Sequence, residues 1–591
     1  MQPLQRSSRR RLTAVVVVFI AILALWLGIR GFMAYGRLSA LEVTAGRIRT
    51  DAKSLDFKAL SVDLQDLRDQ AHSARGLTSD PIWGLATHIP VLGTDAAAAR
   101  QTAAVLDDLA IATQPLAAVL PGLQPSDLKT STGSINIAAL QGIGPAVMRV
   151  STAVDEARAA LAQVDTGVVG KLTRGITQLK DALNKVHGPL EGAGPVLSAL
   201  PAMLGANGQR TWFVGLENLA EARGTGGFLG AYAVVTTDRG AIKLSQAAAT
   251  NAVLLHARIP TASLPSGLLT MWGCPGTFCD LAQWNGLNLS PHFPYTGSLV
   301  VDGWKARGGG PVDGVLFIDQ PAVAALLTGT GPVTVRGVTI SSSNAEKFLT
   351  TDLYVRFPKV ADKDAVVVEL MRTVFGKLSA GHFNVVDMLK ALRAPASNGG
   401  VLTYSAHLDE EKALAGVSIG GVLPDTPGPT ATAVINNGSG NKMERYLKVG
   451  VDYVQGDCAG PVRTGDITVT LINTAPTSGL PSYVTARGDL NAAGKPVGST
   501  LELLDVYGPV GSAAVVVSLD GQTADFSVGV DRLHPTWRVD VELNPGQTRT
   551  VEVQFLQQLD PGTANGYPMV LAQPMVNPQA IRVEPGSACH L

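Results

Sequence analysis

Leu216-Glu217-Asn218-Leu219-Ala220-Glu221-Ala222-Arg223-Gly224-Thr225-Gly226-Gly227-Phe228-Leu229-Gly230 separates two runs that read as strands, Thr211–Leu216 and Ala231–Thr237. A half-buried strand alternates apolar and polar residues. This insert instead crowds two carboxylates, an amide, an arginine and four glycines into one place. Glycine tolerates positive φ and lets a backbone approach a ligand closely. Two readings are open. The insert is a glycine-rich turn whose Arg223 pairs locally with Glu217 or Glu221, or it is a loop that presents Arg223 to a ligand.

Downstream, Asp238-Arg239-Gly240 predicts a hairpin into Ala241–Leu244. A long irregular stretch with Trp272 and Trp284 follows, of the kind that serves as a lid or a binding loop. Val312–Asp319 reads as a strand, Pro321–Leu327 as a helix and Val333–Val335 as a strand. Helices are expected over Asn344–Tyr354, Asp364–Leu378 and Val385–Leu392. Strands interleaved with helices predict an α/β domain over residues 205–440. Beyond Asn441 the helical period disappears. Ile467–Ile472, Ser482–Thr485, Thr500–Val506, Ala513–Ser518, Ala524–Val530, Trp537–Leu543 and Thr550–Phe555 read as short strands, which predicts a β-sandwich over 441–591.

Upstream the pattern is helical. Leu60, Leu64, Leu67 and Ala71 form one apolar seam. Val147, Val150, Val154, Ala157, Leu161 and Val164 form a second, and Leu172, Ile176, Leu179, Leu183 and Val186 a third. Breaks are expected at Pro81, Pro90–Gly93, Pro121-Gly122 and Pro189, with Thr94 or Asp95 capping the helix that follows. Such helices make an antiparallel bundle over 31–204, and nothing in their seams marks it as more than a spacer. At the start, Arg6, Arg9, Arg10 and Arg11 precede an unbroken apolar run, Leu12–Ile29, closed by Arg30. Its eighteen residues span about 27 Å as a helix, close to the thickness of a bilayer core. The basic flank predicts a cytoplasmic tail at 1–11, a transmembrane helix at 12–30 and an exported remainder. Trp26-Leu27-Gly28-Ile29-Arg30 lacks the small-residue site of a cleaved signal peptide. The fold expected is therefore multidomain: an N-terminal transmembrane helix, an extracytoplasmic α-helical bundle, a central α/β domain and a C-terminal β-sandwich.

At 591 residues the chain is long enough for several cores, and 46% apolar with 16% charged residues describes a globular protein. The formal net charge is −1, of which the four N-terminal arginines supply +4, so the rest stands at −5 and offers no basic field for nucleic acid. Cys274, Cys279, Cys458 and Cys589 all lie beyond the anchor. In an oxidising compartment they are expected to pair as Cys274–Cys279 and Cys458–Cys589. The nine histidines are scattered, so no metal and no cofactor is expected. Gly416-Val417-Ser418-Ile419-Gly420 matches a nucleophile elbow in letters, but a helical stretch precedes it where a strand is required.

Several motifs resemble the family of bacterial membrane-anchored envelope proteins called domain of unknown function 4012. They are Glu217-Asn218 with Glu221-Ala-Arg223-Gly-Thr-Gly226-Gly227-Phe228, Pro81-Ile-Trp83, and Ile89-Pro90-Val-Leu-Gly93. To these add Asn288-Leu-Ser-Pro-His-Phe-Pro294, Val312-Asp313-Gly314, Thr330-Gly331-Pro332-Val333, Asn436-Asn437 and Asn441-Lys442-Met443. The resemblance spans nearly the whole exported chain and implies an envelope location, with no particular activity. More faintly, the central domain is similar to the LytR-CpsA-Psr proteins, which move glycopolymers from polyprenyl-pyrophosphate lipids onto the cell wall. Val312–Asp319 with Leu326-Leu327 and Gly331–Val335 resembles their strand–helix–strand core, and Leu353-Tyr354-Val355-Arg356-Phe357 their arginine-bearing segment. Arg223 falls where they place an arginine, and an arginine fork suits phosphate oxygens. The departures are equally plain. Thr225 replaces their aspartate, Ser245–Ala248 carries no charged pair, and Val366–Leu370 offers only Glu369.

The function expected from this set is binding or transfer of a polyprenyl-pyrophosphate-linked envelope glycopolymer by a single-pass membrane protein. Arg223, Glu221, Asn218 and Arg356 would form the ligand site, and catalysis stays open. The alternative is a non-catalytic envelope scaffold. A ligand role predicts that Arg223→Ala removes affinity with little change in melting temperature. It also predicts an apolar channel beside Arg223 for the isoprenoid tail, where a scaffold predicts a filled core.

Overall fold

The computed structural model describes residues 4–250, 254, 257–273 and 280–589, with backbone alone up to residue 24 and at residue 35. The expected Cys274–Cys279 pair therefore lies outside the described residues. The chain divides into two compact units, 1–130 with 136–201, and 131–135 with 202–591. The first is helical. The second is rich in sheet in both its central and C-terminal parts.

In the helical unit, α1 (Leu4–Ser54) is unbroken through the apolar run and beyond it, a length of about 77 Å. It turns at Leu55-Asp56 into α2 (Phe57–Thr78), whose Asp56 side chain caps the backbone N–H of Ala59 at 3.0 Å. The short α3 (Pro81–Ala86) and then α4 (Gly93–Ala112) follow, with later helices at Ile143–Ala162 and Gly170–Met203. The second predicted seam is buried throughout, and with Ala98, Ile176 and Leu183 it forms the main core. Asp95 does not cap its own helix. Its carboxylate accepts the N–H groups of Gly167, Val168 and Val169 at 3.1, 2.9 and 3.2 Å, satisfying donors at the start of Gly170–Met203. Pro189 does not break that helix. It is exposed, as is Lys185 four residues before it, so the carbonyl that loses its partner is open to water.

Among the described residues of this unit, two stretches, Gly93–Leu123 and Ile137–Ala162, are long and apolar enough to cross a membrane, with mean hydropathy 1.5 and 1.3. Both supply side chains to the bundle core. The first also holds Asp107, which pairs with Arg68 at 3.1 Å and Arg75 at 3.3 Å.

The central part of the second unit is a five-stranded mixed sheet, ordered β3-β2-β1-β4-β7. The strands are β1 (Arg210–Arg223), β2 (Gly226–Asp238), β3 (Ala241–Ala249), β4 (Gly314–Ile318) and β7 (Val401–Ser405). β1 pairs antiparallel with β2 and parallel with β4. A small hairpin, β5 (Val333–Val335) and β6 (Val338–Ile340), and the helices Gln320–Thr330, Val360–Ser379 and Val385–Ser397 follow the expected order. Trp272 and Trp284, read as parts of a possible lid, are fully buried in the core around Phe213, Tyr232 and Trp304. Gly416–Gly420 lies after the helix Leu408–Leu414 and forms a single tight turn, so no nucleophile elbow exists there.

The C-terminal part is a sandwich of two sheets. One contains β12 (Ser512–Leu519), β16 (Thr548–Gln558), β10 (Val462–Asn473), β9 (Leu447–Ala459) and β18 (Ala580–Glu584), with the two-residue β13 (Gln522-Thr523) at its edge. The other runs β14 (Ser527–Asp531), β15 (His534–Leu543), β11 (Thr500–Tyr507), β8 (Thr430–Asn437), β17 (Met569–Leu571). β8 pairs with β11, so the sandwich begins before residue 441, where the sequence alone places its start. Ile435 and Ala433 face its core, but β8 is buried along its whole length and carries no alternation to distinguish it from an α/β strand. Ser482–Thr485, expected as a strand, is one helical turn.

Cys458 on β9 and Cys589 near the chain end are disulfide-bonded, with Cα atoms 5.8 Å apart and a sequence separation of 131. A loop of that length stabilises by on the order of 4–5 kcal/mol through the entropy it removes from the unfolded chain. Non-reducing peptide mapping should return Cys458 joined to Cys589. Cys589→Ser should lower the urea midpoint, and an unchanged midpoint would remove the bond from the stability of the sandwich.

Candidate functional site

The glycine-rich stretch is no separate loop. β1 runs through it to Arg223 and β2 starts at Gly226, leaving only Gly224-Thr225 as the turn. Asn218 pairs with Phe228 and Ala222 with Gly227, so Leu219, Ala220 and Glu221 are pushed out of the ladder as a bulge. Two of their displaced N–H groups find side-chain acceptors. Leu219 donates to Gln320 at 3.2 Å and Ala220 to Asn218 at 3.2 Å. Two glycines are steric requirements. A Cβ on Gly227 would sit 2.4 Å from the Asn218 backbone, and one on Gly224 would sit 2.2 Å from the Leu289 carbonyl oxygen.

Arg223 is fully buried. Its Nη2 pairs with Glu221 at 2.8 Å and its Nε donates to the Asn285 carbonyl at 3.0 Å. Nη1 donates to the carbonyls of Ala222 at 2.8 Å and Asn437 at 3.2 Å. The ring of Phe228 lies 5.7 Å from the guanidinium carbon. Of the two local pairings open to it, Arg223 takes Glu221. Glu217 turns the other way and accepts from Thr225 Oγ1 at 2.6 Å and Asn288 Nδ2 at 3.0 Å.

Glu221 also pairs with Lys442 through its second oxygen. Burial acts to raise its pKa, but Lys442 and Arg223 together outweigh that and hold it below the ordinary carboxylate value. Glu217 has no cation. Burial is the largest influence on it, and despite its two side-chain donors it is pushed up to about 8. Burial likewise raises Glu444, which accepts from Asn437, to about 7, and Asp319, which caps the helix after β4, to about 7. One carboxylate of this seam is thus kept charged by two cations, and its neighbours favour their protons.

The remaining motifs converge on the same seam. Asn436 Nδ2 donates to the Leu289 carbonyl at 3.1 Å, and Asn437 Nδ2 to Asn441 at 2.9 Å. Ser290 donates to Asp531 at 2.6 Å, and His292 Nδ1 accepts from the Leu423 N–H at 3.1 Å. Burial holds His292 neutral, with its pKa down near 3. Gln573 donates to the Arg223 carbonyl at 2.7 Å and to that of Ile435 at 2.7 Å. Ala222 packs in the sandwich core itself. The tip of the β1–β2 hairpin therefore plugs into the sandwich, and the polar residues of these motifs stitch the two layers together.

Asn218 faces the opposite side of the bulge. It donates to the Tyr354 hydroxyl at 2.7 Å, at a cleft of about 60 Å³ lined also by Gln320, Lys363, Asp364, Lys442 and Tyr483. Lys363 and Lys442 are both nearly buried. Lys363 reaches the Tyr483 hydroxyl at 3.0 Å and Asp364 at 3.3 Å. The Tyr354 and Tyr483 rings stack 5.7 Å apart. Arg356, two residues beyond Tyr354, is exposed and does not line this cleft. The acids nearest to it in sequence are engaged elsewhere, Asp352 with Lys347 at 2.8 Å and Asp362 with Arg336 at 3.8 Å. The sequence reading did not single out Lys363, Tyr354 or Tyr483 as site residues, because they reach the cleft from three separate elements.

Breaking a buried, hydrogen-bonded ion pair costs roughly 3–5 kcal/mol. Arg223→Ala should therefore lower the melting temperature by roughly 10 °C or prevent folding, the reverse of what a solvent-facing ligand arginine predicts. An unchanged melting curve would place the guanidinium outside the core. Glu217 gives a second check. A carboxyl whose pKa is raised on folding binds its proton more tightly in the native state, so its contribution is complete below the ordinary 4.5 and fades as pH climbs through about 8. Melting temperature should fall between about pH 5.5 and about pH 8.5, and Glu217→Gln should flatten that fall. Parallel pH profiles for the two proteins would contradict the assignment.

No curated protein and no solved structure matches the chain. Residues 207–354 match the family model described as "Protein of unknown function (DUF4012)", a span that opens just before β1 and closes on Tyr354, the hydroxyl partner of Asn218. The match contains the bulged hairpin but covers only 148 of the 591 residues, less than the nearly whole exported chain over which the sequence motifs resemble that family.

Proposed function

We propose that the chain is a single-pass, membrane-anchored envelope protein, with its N-terminus in the cytoplasm and the rest outside. In this reading the 202–591 unit is a rigid, non-catalytic interaction scaffold. The apolar run Leu12–Ile29 behind four arginines supports the anchor and its direction. The Cys458–Cys589 disulfide fits an oxidising compartment. The observation that carries the scaffold reading is the state of Arg223. Of the two arginines aligned with those of the transferases, Arg356 is exposed, and Arg223, at the hairpin, is sealed from solvent and bonded to four protein acceptors. Among the described residues, Phe228, Asn285 and Asn437 fill the space around Arg223. The adjoining cleft of about 60 Å³ is far below the 300–1,000 Å³ typical of small-molecule sites.

A second reading keeps the glycopolymer. Lys363 and Lys442 at the Asn218 cleft, with exposed Arg356 on the neighbouring turn, could meet a polyprenyl-pyrophosphate-linked glycan if the cleft widened around it. Arg223 and Glu221 would then position Lys442 from behind. Native mass spectrometry of the detergent-extracted full chain separates the two. The scaffold reading expects the bare polypeptide. A co-purified polyprenyl-pyrophosphate lipid, lost in Lys363→Ala, would overturn it in favour of the second.

A further inference from the structure

We propose that the end of the helical bundle nearest the anchor is seated in the outer leaflet of the membrane, through the uncharged turn Pro81–Gly93 and a second apolar turn at Val168-Val169. This rests on reading Leu12–Ile29 as a membrane span. Because α1 is continuous from Leu4 to Ser54, Arg30 marks the level at which the apolar run ends. Everything held to Arg30 lies at that level.

α2 returns antiparallel along α1. Arg47 meets Asp63 at 2.8 Å and Asp66 at 2.9 Å, while Arg30 donates to the carbonyls of Gly76 and Leu77 at 3.3 Å each and pairs with Asp80. The Trp83 ring lies against Gly31, where an added Cβ would sit 3.7 Å away, and the Trp83 indole donates to the Ala96 carbonyl at 3.0 Å. The turn between α2 and α4 is thereby fixed beside the end of the apolar run. The second turn is fixed to the same end by Asp95, which binds the N–H groups of Gly167, Val168 and Val169.

The side chains at this end are the reverse of what water favours. Pro81–Gly93 contains no Asp, Glu, Lys or Arg. Leu85 is 68% exposed and Val91 72%, and Ile89, Leu92, Val168 and Val169 are exposed as well. The far end of the bundle differs. The segment Thr113–Thr130, held there by the bond from Ser61 to the Ala117 carbonyl at 2.8 Å, exposes no leucine, isoleucine or valine, and neither does the α1–α2 turn. Among the described residues, exposed apolar side chains also occur on helices at Val43, Val62, Ile111, Met148 and Val186, but six crowd the two turns at the anchor end, a concentration that a bilayer surface accounts for. Such a surface takes apolar side chains about 5–10 Å into the boundary of headgroups and acyl chains. Arg100, whose Nη1 lies 3.4 Å from where a Cβ on Gly84 would stand, sits at the rim of the turn, where a cation can reach lipid phosphates. Trp26, held under Arg30 at 4.9 Å, occupies the level where membrane proteins concentrate aromatic rings.

The test uses the full chain in proteoliposomes, with an environment-sensitive fluorophore on Val91→Cys, Leu25→Cys or Asp181→Cys, and the labelled wild type as background. Leu25 lies in the apolar run, and Asp181 is exposed on the helix Gly170–Met203. The expected result is blue-shifted emission at 25 and 91, quenched by lipids brominated in the upper acyl chain, with neither effect at 181. Quenching at 25 with an aqueous signal at 91 would overturn this inference and leave the anchor standing. An aqueous signal at both would remove the anchor reading itself. A blue shift at 91 without lipid quenching would mean that protein covers the turn, which also overturns the inference. Val91 has a φ of +74°, so Leu92→Cys serves as a second reporter where the first variant folds poorly.

Discussion

A guanidinium with no access to water must have its N–H groups met by the protein, and much of the 202–591 unit is arranged around meeting those of Arg223. Its acceptors come from its own strand, from the irregular stretch before β4 and from the first strand of the sandwich. None of these is productive unless the hairpin tip lies inside the sandwich edge, so the ion pair and the docking of the two layers form together. The bulge at Leu219–Glu221 follows from the same constraint. It displaces Glu221 from the ladder and lets its two oxygens reach Arg223 and Lys442 at once.

Around that pair the electrostatics are uneven in a useful way. Glu221 stays charged because two cations flank it, whereas Glu217, Asp319 and Glu444 lie in equally dry surroundings and favour their protons. A neutral carboxyl can donate as well as accept, which suits a seam crowded with amides. The resulting network is a structural joint between sheet and sandwich, and its polar richness does not by itself make it a reactive centre.

The helical unit follows a simpler rule. Its seams pack where periodicity places them, apart from Val186, which is exposed, and its buried acids are met by arginines or by helix N-termini. What sets it apart is the contrast between its two ends, one with apolar turns in the open and the other with none. The proposed seating of the bundle at a membrane rests on that contrast.

Much of this was legible in the chain. Strict 3-4 spacing from Val147 to Val164 specified a helix face, because a buried stripe must recur at the helical period. Alternation specified β10, β11 and β16. The motifs around Arg223 pointed, from local order alone, to the family whose model matches residues 207–354. Other features had no local signature. Ser482–Thr485 alternates like a strand yet forms a helical turn, and β8, buried along its length, carried no sign of the layer it would join. The sequence could offer Arg223 both a ligand and a neighbouring carboxylate, since both need the same residues at the same spacing. Only the tertiary structure decided between an inward and an outward guanidinium. That choice depends on Asn285, Asn437 and Lys442, which lie 62 to 221 positions away from the residues they bind and become neighbours only when the sandwich closes over the hairpin.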